Sequence, residues 1–89
     1  MGIDLLDMVF RLEREFGLRV NREDDLFQRG DDMTAGEVQF IVGVQLLEQG
    51  KALPDDFWPR VQRVIAKTLE IPEHQIHPTS RLFDDLGMR

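Results

Sequence analysis

Few side chains in this sequence combine type and spacing in a way that could do chemistry. His74 and His77 stand three residues apart, so two imidazoles could reach one metal ion. No third ligand stands near in a convincing pattern, and the pair reads as solvated loop histidines. Ser80 is the only serine, and there is no cysteine, which removes disulfides, thiolate metal sites and cysteine nucleophiles together. No nucleophile–base–acid arrangement and no Gly-rich phosphate loop is present, so the reading is a non-enzyme. What remains is a set of charges. Asp4 and Asp7 open the N-terminal stretch, Arg11 follows Asp7 at i+4, and Asp84, Asp85 and Arg89 crowd the other end. Such a set reads either as a solvated helix face whose acids complement the helix dipole or as a surface that favours partners with basic patches. Arg60, Arg63 and Lys67 form a second, basic row that reads as a solvated helix face.

These groups must be positioned by helices. In Ile3 to Phe16, Leu5, Val9, Leu12 and Phe16 form one helical stripe, widened by Ile3, Leu6 and Phe10. The face is then broad enough for two neighbours, and Gly17 follows as a left-handed cap. Leu18–Val20 reads as extended, Asn21–Asp25 as a loop or short helical turn with Leu26 and Phe27 tucked onto the core, and residues 28–32 as a second turn. Thr34 with Glu37 three residues on spells a capping box, preceded by Met33 as a staple for Val38. Thr34 to Glu48 is apolar almost all round, a pattern that implies a deep position or several partners. Gly43 in its middle costs about 1 kcal/mol relative to Ala, and implies close approach of another helix. Gly50 closes it, and 50–54 is the only linker-like segment.

A third helix over 56–70 is expected, capped by Asp55 or Asp56, with Pro59 in its first turn and Pro72 beyond its end. Phe57, Val61, Val64, Ile65 and Thr68 form its stripe, with Trp58 and Leu69 at the margins. Residues 73–76 and 82–86 read as short turns, with Ile76 directed inward. The architecture is all-α, a three- or four-helix bundle, with a core expected from Val9, Phe10, Phe16, Ile41, Val44, Val61 and Ile65.

The 89 residues make one domain, and a 42% apolar share suits a globular fold. A net charge of −6 repels nucleic-acid phosphates and favours partners with basic patches. No apolar run is long enough to span a bilayer, and the start has no basic region followed by an apolar one. The expectation is a cytoplasmic protein that binds neither membrane nor nucleic acid.

From Phe57 to Arg89 the chain resembles the first third of an acyl carrier protein, in W-P-R-V-Q-R-V-I-A-K-T-L followed by I-P-E-H-Q-I-H-P-T-S-R-L-F-D-D-L-G. In that family D-L-G leads into a Ser-containing turn and a recognition helix. I-D-L-L-D-M-V-F-R-L-E-R-E-F-G resembles that helix, and it stands at the N-terminus. Joining Gly87-Met88-Arg89 to Gly2-Ile3-Asp4 restores the family order, so the resemblance covers almost the whole chain as a circular permutation. Residues 1–50 then correspond to the family's recognition helix through its last helix, 51–55 to a linker, and 56–89 to its first helix and following loop.

The resemblance implies a domain that tethers acyl groups through 4′-phosphopantetheine for fatty-acid or polyketide-type synthesis. It also implies that Asp4, Asp7, Arg11, Asp84, Asp85 and Arg89 dock onto basic patches of partner enzymes. The position of the family's modified Ser is Gly2, which has no hydroxyl, and Ser80 lies upstream in the loop. The chain as it stands is therefore expected to carry no cofactor. A non-catalytic interaction module that keeps the fold and the acidic face is the alternative. The permuted order places Arg89 about one or two residue lengths from Gly2, roughly 4–8 Å. They meet within a monomer, or between chains that exchange a helix through the short 50–55 linker.

Overall fold

The computed structural model describes residues 3–20 and 32–89. The readings made for residues 21–31, including the inward placement of Leu26 and Phe27, and those for Gly2 lie outside the described residues. Three helices form: α1 (Ile3–Phe16), α2 (Ala35–Glu48) and α3 (Phe57–Leu69), followed by a 3-10 turn at Glu73–Gln75. Among the described residues there is no strand, only one antiparallel bridge between Thr34 and Arg81. The fold is all-helical.

α3 is the centre. It packs extensively on α1 and less so on α2. Its stripe of Phe57, Val61, Val64, Ile65 and Thr68 is buried throughout, as 3.6-residue periodicity requires. The same core cluster takes Leu5, Met8, Val9, Leu12 and Phe16 from α1, all buried, and Val38, Ile41, Val42 and Leu46 from α2. The rings of Phe16 and Phe57 meet edge to face at 5.5 Å. Arg60 is not a solvated cation. Its guanidinium lies 5.2 Å over the Phe16 ring and bonds the Glu15 carboxylate at 2.8 Å, pinning α3 to α1.

Phe10 corrects the expected core, because it is 42% exposed, and Leu6 is exposed as well. The buried set is centred between Met8, Leu12 and Phe16. At about 100° per residue, Phe10 projects roughly 160° away from that centre. A wide apolar arc in the sequence is thus a narrower buried stripe in the fold. Val44 is only half-buried.

Helix ends explain the chain path. Gly17 adopts φ 62°, the left-handed cap, and Leu18 N–H returns to the Glu13 carbonyl at 3.1 Å. The Thr34 hydroxyl accepts Glu37 N–H, while the Glu37 carboxylate accepts Thr34 N–H, both at 3.2 Å. The other free N–H groups of the first turn of α2 are met by the segment before the last turn. Ala35 N–H reaches Ser80 O at 2.9 Å, and Gly36 N–H reaches Pro78 O at 2.8 Å. Asp56 occupies the N-cap position of α3, but its side chain makes no capping bond. Its carboxylate lies 3.9 Å from Arg60 instead. α3 ends with Glu70 at φ 58°, a left-handed conformation that costs a non-glycine residue about 1–2 kcal/mol.

Candidate functional site

The start of α1 and the final turn meet. Asp4 N–H, one of the free donors of the first turn of α1, reaches the Arg89 carbonyl at 2.8 Å. Arg89 N–H in turn donates to the Asp4 carboxylate at 3.0 Å. Two reciprocal bonds therefore hold residues 85 positions apart. The distance expected between Arg89 and Gly2 lies outside the described residues, but Asp4, two residues on, is in direct contact.

The turn that delivers Arg89 is held from several sides. Leu82 is fully buried, its N–H reaches Met33 O at 2.9 Å, and Met88 N–H returns to Leu82 O at the same distance. Asp32 caps the turn, accepting Phe83 N–H and Asp84 N–H, both at 3.0 Å. The Asp85 carboxylate accepts Arg81 N–H at 2.8 Å.

Of the sequence-derived site, Asp4 and Arg89 are brought together, and Asp7 and Arg11 pair one turn along α1 at 3.0 Å. Asp84 and Asp85 lie exposed on the adjoining turn, each 3.6 Å from the Arg81 guanidinium. Arg81 is the residue that sequence reasoning missed. Its spacing of three and four to the two aspartates was the available signal. With Arg11, Arg81 and Arg89 among four carboxylates, the face is mixed in charge rather than purely acidic. Exposed pairs of this kind contribute about 0.2–1 kcal/mol each, so they arrange the face more than they hold the fold.

Ser80 is a poor site for modification. It is buried, and its hydroxyl oxygen accepts His77 N–H at 3.0 Å within the turn. His74 and His77 are both exposed, and among the described residues no three potential ligands converge on a metal position. The basic row divides: Arg60 is structural, Arg63 lies 3.5 Å from Glu73, and Lys67 is exposed. Among the described residues no helix is long and apolar enough to cross a membrane.

Fold and site together define a class: a small all-helical protein whose charged face is assembled from the start of its first helix and its final turn. No family description, curated protein or solved structure matches the chain.

Proposed function

We propose that this chain is a carrier-protein-type helical domain with its family segments in permuted order. On this reading it presents a charged docking face at the start of α1 and, as it stands, carries no phosphopantetheine arm. The Asp4–Arg89 contact carries the proposal. In the acyl carrier proteins the segment ending in D-L-G leads straight into the recognition helix, and here Arg89, two residues beyond Gly87, bonds the first turn of α1. A helix N-terminus at that point suits the phosphate of a tethered arm, because free N–H groups and the helix dipole favour negative charge. Transfer also needs an alcohol, which Gly2 lacks.

The parent activity on this reading is the tethering of acyl groups, and the partners are enzymes of acyl-carrier pathways with basic patches. The Asp7–Arg11 pair and Arg81 between Asp84 and Asp85 temper the acidity, so the fitting partner surface carries some acidic residues among its basic ones. The missing hydroxyl at Gly2, together with the buried and engaged Ser80, favours a second reading: an interaction module that keeps the docking face without the chemistry.

The test is incubation with coenzyme A and a promiscuous phosphopantetheinyl transferase, read by intact mass. The expected outcome is no gain for the chain as it stands, slow gain for Gly2→Ser, and ready gain for a re-closed Gly2→Ser chain. The re-closed chain has Arg89 joined to residue 2 and is opened within 51–55. A re-closed variant that folds and gains no mass would leave only the interaction-module reading. Modification of the unaltered chain at Ser80 would overturn the placement of the site.

A further inference from the structure

Cations gather in one place where the net charge of −6 gives no reason to expect them. A groove of about 210 Å³ between α1 and α3 is lined by Arg11 and Arg14 from one helix and Lys67 from the other, with Glu15 and Val64 completing it. Its one carboxylate is already engaged. Glu15 accepts Arg60 Nε at 2.8 Å, and a second Arg60 nitrogen donates to Glu15 O at 3.2 Å. Asp7 accepts only Nε of Arg11, at 3.0 Å, and leaves the two terminal nitrogens of that guanidinium without a bond among the described residues. Arg14 and Lys67 are exposed and make no ion pair among those described. With the Asp7–Arg11 and Glu15–Arg60 pairs taken as neutral, two positive charges remain in excess at this groove.

Helix geometry gathers them. Arg11 and Arg14 stand three apart and share a side of α1, and α3 packs against that helix. Arg14 and Lys67 each lie in the last turn of their helix, where a cation complements the carbonyl end. That explains one cation on each helix. It does not explain why both open onto a shared hollow with Arg11 a turn earlier, because like charges brought together repel. An anion seated between them removes that repulsion.

We propose that the groove binds the dianionic head of a small phosphate monoester. Two excess positive charges match a dianion better than a single carboxylate. Arg11 and Arg14 supply planar donor forks suited to phosphate oxygens, and Lys67 supplies a point charge from the facing helix. The volume is below the roughly 300–1,000 Å³ of sites that enclose a whole ligand, so the groove takes the head group and leaves the rest outside. Val64, 5% exposed, and the aliphatic stems of the three cations offer the ester body an apolar contact. This site is not the start of α1. Arg11 and Arg14 lie about 10–15 Å along the helix from Asp4, and the argument does not rest on the carrier-domain reading. An open groove on an acidic chain binds weakly, in the millimolar range, and less well as salt rises.

Titration of the full chain with phenyl phosphate, at about pH 7.5 where a monoester is mostly dianionic, tests this at constant ionic strength. Amide and arginine Nε–H resonances would be followed by nuclear magnetic resonance. The expected result is a saturable shift centred on the residues that line the groove. Arg14→Gln and Lys67→Gln should each weaken binding by about fivefold, the upper end for an exposed charge contact. Arg19→Gln removes the same charge at an exposed position outside the groove, and should leave the Kd within about twofold, because distant charges are screened. Benzenesulfonate, with the same ring and one charge, should bind at least about fivefold more weakly than phenyl phosphate. Inorganic phosphate, which has no ester body, should also bind more weakly. Circular dichroism would confirm that each variant is folded. No saturable shift, or shifts centred on the start of α1, would overturn the proposal. So would Arg14→Gln or Lys67→Gln binding as the parent does, Arg19→Gln weakening binding as much as they do, or benzenesulfonate or inorganic phosphate matching phenyl phosphate.

Discussion

Gly36→Ala is the substitution whose outcome local reasoning gets wrong. Within a helix, replacing Gly by Ala ordinarily stabilises by up to about 1 kcal/mol, because the chain loses less entropy on folding. At Gly36 the new methyl would stand 2.9 Å from the Pro78 carbonyl oxygen, closer than real Cβ contacts allow. That oxygen is backbone, and it is held there by Gly36 N–H itself at 2.8 Å. Relief requires segment 78–82 to retreat from α2. The retreat would stretch the Gly36–Pro78 bond and strain the neighbouring Ala35–Ser80 and Leu82–Met33 bonds, at 2.9 Å each. Weakening one or two of these costs about 0.5–1.5 kcal/mol each, which exceeds the part of the propensity gain available in a first turn. The net expectation is a destabilisation of about 1–2 kcal/mol, or a fall in Tm of roughly 5–15 °C for a domain of this size. Urea and thermal unfolding followed by circular dichroism would read it, with faster amide exchange at positions 35 and 36 than in the parent as the local signature. Gly43→Ala is the internal control. Its methyl would meet side chains alone, the edge of the Phe57 ring at 3.3 Å and Leu53 at 3.7 Å, so overlap and propensity should nearly cancel, to within about 0.5 kcal/mol. If Gly36→Ala proves as stable as the parent or more so, the clamp of segment 78–82 on α2 does not constrain the fold as argued.

Two other substitutions probe helix ends. Thr34→Ala removes the acceptor for Glu37 N–H and the reciprocal half of the capping box, and should cost about 1 kcal/mol in urea unfolding. Glu70→Gly relieves a left-handed residue that is exposed and makes no ion pair among those described. It should raise stability by about 0.5–1 kcal/mol, a gain visible as a Tm increase of a few degrees, and an unchanged or lower Tm would contradict the strain assigned to Glu70.

Much of the helical architecture is written locally. The capping box at Thr34 and Glu37 starts α2 one residue later, as its side-chain chemistry dictates. Gly17 closes α1 in the left-handed region. The α3 stripe from Phe57 to Thr68 is buried residue for residue, because spacing along a helix already states which side chains share a face. The pairing of Asp7 with Arg11 was equally legible, since i,i+4 neighbours meet whenever the helix forms.

What spacing does not state is where that face points, or how much of it a neighbour covers. Phe10 belongs to an apolar arc by sequence and projects away from α3 in the fold, while α2 is apolar all round and leaves Phe40 and Leu47 outside. α3 proves central, because burial depends on what packs against each side. The charged residues obey the same rule. Arg60 pairs with Glu15 across 45 positions, Asp32 caps a turn more than 50 residues away, and Arg89 closes on Asp4 across 85. Periodicity and capping extend over a few residues along one element. These contacts arise only when separate elements are brought together, so tertiary structure alone decided them.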